Sequence, residues 1–535
     1  MKPLKRFLTG ILYVIFLACE VLFMVLLKKL NVLPAKFFIP IAVLLAVVSV
    51  VLLSMKLKKK TVNASVILML ILIAGLLAGS YYIGRTLVFL SRMVAEPEKT
   101  EDYHILVVQD SEYIPEPVVV EPTKKEKLLL FLFPEEEEED VEPYDSASVC
   151  KIEDAAEILK GKKIGTYMTT DRNYSEAKGT LSSNMDVECT YEADAKTLYD
   201  KLLSGEYEFI LLSDISYQIM KDQESDILDK TDILYTLKFK IEEEEKKEID
   251  VTKDSYNILL SGCDFFGKFA SDTIHRSDVD MIATVNPVTH EVHLTSIPRD
   301  YYVKLHSYGE YDKLTHASLK GVEELKKTIE DTLGIEIQYY VRANFNGLLR
   351  FVDAIGGIDV ESERDFILTV EGEYYSYKTT KHIVKGTNHL NGAEALSFCR
   401  ERNAFSEGDL QRIRDQQIVF EAILKKATQS TTILTSYLDI LNALSGRIET
   451  DFTPEEMAAL VSMQLNEMPS WNITKTAITT KYGWEICYLA QYYGKLNVAL
   501  QDEVQNAICR DEIFRVLSNR VISEGETENL EGESK

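Results

Sequence analysis

DVDMIATVNPVTHEVHLTSIPRD, residues 278–300, holds two apolar runs, Val279–Val285 and Glu291–Ile297, around the turn residues Asn286-Pro287. Runs of this length, rich in β-branched residues and separated by a turn, predict two adjacent buried strands. Just upstream, YNILLSGCD (Tyr256–Asp264) predicts a strand over Tyr256–Ser261, with Gly262 opening a loop that holds Asp264, Gly267 and Asp272. Downstream, Lys313–Leu333 has helical periodicity ended by Gly334, and Glu336–Val341 reads as a strand. A helix over Asn346–Ile355 stops at Gly356-Gly357. Asn391 caps a further helix with Glu394 three residues on, and a long helix covers about Asp409–Ala427. Helices near 432–446 and 454–467 and a strand pair follow. Strands interleaved with helices predict an α/β (α+β) fold, a central sheet with helices packed around it.

Three apolar runs lie far upstream, at about residues 7–27, 37–55 and 64–84. Each is long enough to span a bilayer as a helix. Seven cations, Lys2, Lys5, Arg6, Lys56, Lys58, Lys59 and Lys60, flank one side of the set. Five, Lys28, Lys29, Lys36, Arg85 and Arg92, flank the other. The heavier clusters belong inside. This predicts a multi-pass plasma-membrane protein of a Gram-positive-type bacterium, with a cytoplasmic N-terminus and its main domains outside.

The chain divides accordingly: an anchor (1–95), an acidic, proline-rich linker (96–145), an accessory α/β domain (146–241), a main domain (250–430), its C-terminal extension (431–522) and a polar tail (523–535). Pro115, Pro117, Pro122, Pro134 and Pro143 break the linker, and Glu135–Asp140 is a run of acids. Leu128–Phe133 is a short apolar stretch within it. In the accessory domain, Ala155–Leu159, Asp194–Leu203 and about 214–222 read as helices, with Lys163–Tyr167 and Phe209–Leu212 as strands. The net charge of −26 argues against a nucleic-acid partner, since no basic stripe offsets it. The seven cysteines show no zinc spacing. Cys487–Cys509 is a candidate disulfide, and ordinary buried thiols are the favoured reading.

Within the main domain, charged strings abut apolar elements: His275-Arg276-Ser277-Asp278, Pro298-Arg299-Asp300, Arg400-Glu401-Arg402 and Gln411-Arg412. Buried charge is costly unless it is paired or meets a ligand. Arg276 and Asp278 are two apart at a strand entry, so they are expected to share a face that Asp280 continues. Arg299 and Asp300 lie just past a strand end. Arg412 and Gln416 share a helix face. Arg400 and Arg402 converge only if the helix ends near Cys399 and the chain then extends, which is the expectation. Five arginines in one place suit a diphosphate. Two carboxylates beside it, Asp264 and Asp278, suit magnesium. Taken alone, His275, His306 and His316 read as spectators.

These strings, with Asn257–Asp264 (NILLSGCD), Val292–Tyr302 (VHLTSIPRDYY), Tyr339–Val360, His389–Arg402 and Gly408–Gln417 (GDLQRIRDQQ), resemble the LytR-CpsA-Psr family of cell-wall glycopolymer ligases over about residues 255–430. The anchor and accessory domain resemble its capsule-assembly branch. The resemblance implies transfer of a glycopolymer, capsular or teichoic-acid-like, from undecaprenyl diphosphate to peptidoglycan through a phosphodiester. It implies Asp278, Arg299 and Asp300 as catalytic residues, with Asp300 either orienting Arg299 or assisting the acceptor. Arg276, Arg299, Arg400, Arg402, Arg412 and Gln416 would grip the diphosphate. Asp264 and Asp278 would hold Mg2+, with Mn2+ as the alternative ion. Capsule-assembly membrane proteins are the expected protein partners. Cys263 and Asp415 depart from the residue types expected at their positions. The competing readings are a non-catalytic regulator or scaffold of polysaccharide assembly, and a polyprenyl-diphosphate hydrolase.

Overall fold

The structure is a computed structural model that describes residues 2–31, 33–57, 62–93, 100–109, 111, 113, 152–169, 171–223, 227–240, 249–263, 265, 269, 275–372, 376–402, 404, 409–429 and 437–518. The three apolar runs are helices, α1 (Lys2–Leu30), α2 (Ala35–Leu57) and α3 (Val62–Met93). Each is long and apolar enough to cross a membrane. Phe16, Leu52 and Met69 pack between them, while Val14, Val21, Val50 and Ile71 point outward and exposed. Helices apolar on every face suit a lipid surround.

The accessory sheet corrects the sequence reading of 96–145 as linker. Strand β1 (Thr100–Val108) lies within that segment, and Tyr103, Ile105, Leu106 and Val107 are core residues. The strand was hidden because the prolines and acids further along dominate the composition of the whole segment. With β2 (Lys163–Tyr167), β3 (Glu188–Glu192), β4 (Phe209–Ser213) and β5 (Thr231–Lys240) it forms a sheet ordered β3-β2-β4-β1-β5. Strands β2, β3 and β4 run parallel, and β1 pairs antiparallel with β4 and β5. The expected helices at Ile152–Leu159, Ala195–Leu203 and Asp214–Gln223 are present. Asp194 caps the second, accepting the Thr197 N–H at 2.8 Å. A further helix, Arg172–Asn184, is capped by Asp171. Leu128–Phe133, Glu135–Asp140 and the tail from 523 lie outside the described residues.

The main sheet is built on the strands of the opening stretch. Strands β6 (Tyr256–Cys263), β7 (Ser277–Asn286) and β8 (Glu291–Ile297) form an antiparallel meander. The small hairpin β9 (Tyr302–Lys304) and β10 (Tyr311–Lys313) follows. The helical period expected over Lys313–Leu333 is broken. Leu314–Ala317 is one helical turn, Gly321 has φ +110°, and the long helix begins at Val322. Only glycine adopts that φ readily, so the period restarts there.

Strand β11 (Tyr339–Asn344) pairs parallel with β6. Next come β12 (Ile358–Ser362), β13 (Phe366–Glu371), β14 (Lys378–Ile383) and β15 (Gly386–Leu390), paired β12-β15 and β13-β14. With β16 (Ile448–Thr450) and β17 (Asn472–Ala477) the main sheet runs β16-β11-β6-β7-β8-β17. The hairpin β18 (Tyr482–Ile486) and β19 (Lys495–Ala499) supplies the expected strand pair. Alternate residues feed two cores. Leu259, Ile282 and Ile297 pack with the helices Val322–Leu333 and Glu503–Ser518. Leu260, Met281 and Val341 belong to the other side, with Phe420 and Phe452. Cys487 and Cys509 are buried free thiols.

Candidate active site

Strand direction gathers the charged strings. Strands β6, β8 and β11 end, and β7 begins, at one edge of the sheet, because Cys263 pairs with Ser277, Asn344 with Cys263 and Ile297 with Asp280. At that edge, on the face carrying Leu260, Met281 and Val341, lies a cavity of about 500 Å³. The helices Phe345–Ala354, Gly392–Arg400, Asp409–Gln429 and Tyr437–Leu444 complete its walls. Most of its lining is apolar, including Phe345, Leu348, Phe351, Leu396, Val419 and Ile423. Asp278, Arg299, Arg400, Arg402, Arg412 and Gln416 line it too.

The local chemistry explains each placement. The register slips between Gly262 and Cys263, whose partners are Val279 and Ser277, so Asp278 is the extra residue of a bulge. A bulge re-aims side chains. Here Asp278 and the adjacent Val279 both reach the cavity. This corrects the shared face expected of Arg276 and Asp278. Alternation fails across the bulge, and Arg276 is not among the lining residues. Arg276 is half-buried, with its Nε and Nη2 shielded from solvent. Burial pushes its guanidinium down to about 10, with the Arg299 charge adding and Asp278, Asp300 and Asp312 opposing.

Arg299 pairs with Asp278 through Nη1 and approaches Asp300 through Nε at 3.8 Å. Asp300 also lies off the cavity wall, bridging to Lys313 Nζ at 3.1 Å. That position is suited to orienting Arg299. Helix Gly392–Arg400 starts in a full capping box made by Asn391 and Glu394. It ends at Arg400, and Glu401 is extended (φ −66°, ψ 129°). The chain therefore turns where convergence required it, and both Arg400 and Arg402 line the cavity. The Arg400 guanidinium lies over the Phe345 ring at 4.7 Å. Arg412 and Gln416 face the cavity from one side of their helix.

Sequence reasoning missed two cations beside the site. The helical period makes Lys313 a helix start, whereas in the structure it closes β10 and the long helix begins after Gly321. Arg342 is buried on β11, 3.0 Å from Glu449 and 3.4 Å from Cys263 Sγ. Its partner follows it by more than a hundred residues, so no local signal marks the pair. Cys263, one of the two unexpected residue types, thus faces Arg342. His275 stacks on Phe265 at 3.5 Å, and burial with the Arg342 charge pushes it down to about 3, leaving it neutral.

Asp264 lies outside the described residues, so the expected carboxylate pair is represented by Asp278 alone. Magnesium takes one or two protein carboxylates and completes its shell with phosphate and water. Asp278 on the wall fits that need. Nearby Asp280 is buried, accepts Ser277 Oγ at 2.9 Å through Oδ2, and has no hydrogen bond to Oδ1 among the described residues. Burial pushes its carboxyl up to about 7. Among the described residues, no three histidine, cysteine or carboxylate side chains form a metal-holding group.

A family model described as LytR_cpsA_psr family matches residues 228–507. The polyisoprenyl-teichoic acid–peptidoglycan teichoic acid transferase TagU of Bacillus anthracis is 36% identical over 202 residues, 38% of this chain and 62% of that protein. TagU of Enterococcus faecalis is 33% identical over 219 residues, 41% of this chain and 68% of that protein. The chain thus spans just under two thirds of the length of the first of these relatives. Among solved structures, Bacillus subtilis TagV is 26% identical with a TM-score of 0.41, over 50% of this chain and 99% of that one. TagT bound to LIIa-WTA is 24% identical with a TM-score of 0.39, over 51% and 95%. The matched segment takes in the bulge at Asp278, the strand end at Arg299 and both arginine-bearing helices, and it is more than half of the sequence: the chain belongs to the LytR-CpsA-Psr family.

Proposed function

We propose that the protein is a membrane-anchored phosphotransferase that moves a glycopolymer from a polyprenyl diphosphate to peptidoglycan. One observation carries this: an apolar cavity of about 500 Å³ is lined with four arginines, Arg299, Arg400, Arg402 and Arg412, and one carboxylate, Asp278. A polyprenyl diphosphate has both halves of that chemistry, a hydrocarbon tail and a compact anion. The relatives named as teichoic acid transferases support the polymer class. The three-helix anchor supports a capsule-type polymer as the alternative cargo.

In the transfer, an acceptor hydroxyl forms a bond to the glycan-bearing phosphorus. The bond from that phosphorus to the bridging oxygen breaks, polyprenyl phosphate leaves with the bonding electron pair, and the hydroxyl proton goes to the departing phosphate or to water. Such chemistry rests mainly on positioning and charge stabilisation. Arg299, held by Asp278 and Asp300, and the Arg400–Arg402 pair are placed to grip the non-bridging oxygens. Gln416 adds a neutral hydrogen-bonding group beside Arg412. Magnesium, or manganese, held by Asp278 and Asp264 would neutralise charge as the phosphate departs. Asp300, between Arg299 and Lys313, acts as a positioning residue, and Arg276 adds positive charge near Arg299.

The site faces the outside of the cell in this reading. Lys36, after α1, donates to the Asn466 carbonyl at 2.5 Å, and Arg85, on α3, donates to Asn442 Oδ1 at 2.5 Å. Both lie on the lightly charged side of the anchor, the side opposite the cytoplasmic lysines. The test uses full-length protein in proteoliposomes with a polyprenyl-diphosphate glycan, Mg2+ and peptidoglycan fragments. A phosphodiester-linked product is expected. Phosphorylated glycan released without acceptor supports a hydrolase instead. Absence of turnover, together with normal polymer attachment in cells carrying Arg299→Ala, would sink the catalytic reading and leave the scaffold.

A further inference from the structure

The cavity is too small for its proposed ligand. About 500 Å³ suits a drug-sized molecule, so it holds only part of a long polyprenyl chain. The rest must stay in hydrocarbon, because exposing it to water is costly. The wall that could admit it is the one nearest the bilayer. Helix Tyr437–Leu444 and β16 contribute Leu444 and Ile448 to the cavity lining. These same two elements pack against membrane helix α3. The Arg85–Asn442 hydrogen bond fastens that contact.

Helix α3 is also long for a span. Its 32 residues rise about 48 Å, against a hydrocarbon core of about 30 Å, so its upper turns stand clear of the bilayer and reach the domain. Below them its surface is apolar and exposed at Leu70, Ile71 and Leu77, with Tyr81 and Tyr82 at the level where aromatic side chains meet an interface. Exposed apolar and aromatic side chains of α3 thus lie below its contact with the two elements that carry Leu444 and Ile448.

We propose that α3 is part of the lipid's route: the polyprenyl tail passes from the bilayer into the cavity along the seam between α3 and helix Tyr437–Leu444, with Leu444 and Ile448 as its threshold. The anchor then delivers the substrate as well as holding the enzyme. This rests on the polyprenyl-diphosphate reading of the site, and the test separates the two.

Full-length protein with p-benzoylphenylalanine at Tyr81, Leu444 or Val14 is placed in vesicles that contain a tagged polyprenyl diphosphate and a tagged phospholipid. Tyr81 lies one turn from Arg85 on the same face of α3. Val14 on α1 is 64% exposed and serves as the bulk-lipid reference. After irradiation, polyprenyl adducts relative to phospholipid adducts are expected to be enriched several-fold at both Tyr81 and Leu444 over Val14. Enrichment at Leu444 with none at Tyr81 overturns the route and leaves the cavity as the tail site. Enrichment at neither overturns the tail assignment itself, and the route with it.

Discussion

Arg299 pairs with Asp278, approaches Asp300, and lines the same cavity as Arg400, Arg402 and Arg412. Removing one preorganised donor from a developing charge costs roughly 10²–10³ in rate. Arg299→Ala is expected to lower transfer by about that factor, with an unchanged melting temperature and far-ultraviolet circular dichroism. Asp278→Asn is expected to raise the Mg2+ concentration needed for half-maximal transfer, measured by titrating metal into chelator-stripped protein. An unchanged requirement would remove Asp278 from the metal shell. Asp415 bears on stability instead. Its carboxyl is pushed up to about 7 by burial, with Glu401 and Glu363 adding and the Gln411 hydrogen bond opposing. The native chain therefore keeps a proton that the unfolded chain loses near pH 4. Stability from this group falls as pH rises from about 4 to about 7, by on the order of a few kcal/mol. Asp415→Asn should flatten that part of the curve in thermal unfolding across pH, and a parallel curve would show that Asp415 does not carry it.

At the scale of the element, the helix Gly392–Arg400 aims two arginines, and its start decides where its end falls. Asn391 Oδ1 accepts the Glu394 N–H at 2.9 Å, and Glu394 returns the bond to the Asn391 N–H. Asn391→Ala removes half of that box and is expected to cost about 1 kcal/mol, read as a lower denaturant midpoint. Gly392 tests position more sharply, because a Cβ there would overlap the Leu349 carbonyl oxygen. Gly392→Ala should push this helix off its neighbour Phe345–Ala354. Transfer activity is then expected to fall more than that small stability loss explains, as Arg400 and Arg402 leave the cavity. The opposite ranking, Asn391→Ala more damaging to transfer than Gly392→Ala, would sink this account.

At the scale of the molecule, the anchor and the large domain meet through Lys36, Arg85 and the seam above α3. The proposed topology places everything beyond α3 outside. Protease added to intact cells should therefore cleave the chain beyond α3 and spare a tag inserted between α2 and α3. Cleavage at the tag would reverse the orientation.

The apolar spans, the strands β6, β7, β8 and β11 with the helices around them, the Asn391 cap and the arginine set were legible in the chain, because each rests on neighbours within a few residues; the hairpin β9–β10 and the strands β12–β15 were not. The break at Gly321 was not, because the surrounding periodicity continues on both sides of it. What the sequence by itself determined is the inventory: three lipid-facing helices, a sheet with helices around it, and cations suited to a diphosphate. Tertiary structure alone decided which of those cations line the cavity. A one-residue bulge turned Asp278 into the cavity, whereas Arg276 does not line it. Long-range pairing also recruited β1 from an apparent linker, since that strand's partners, Phe209–Ser213 and Thr231–Lys240, lie a hundred residues or more away. Register and long-range pairing are set by what packs against what, and no local window contains that information.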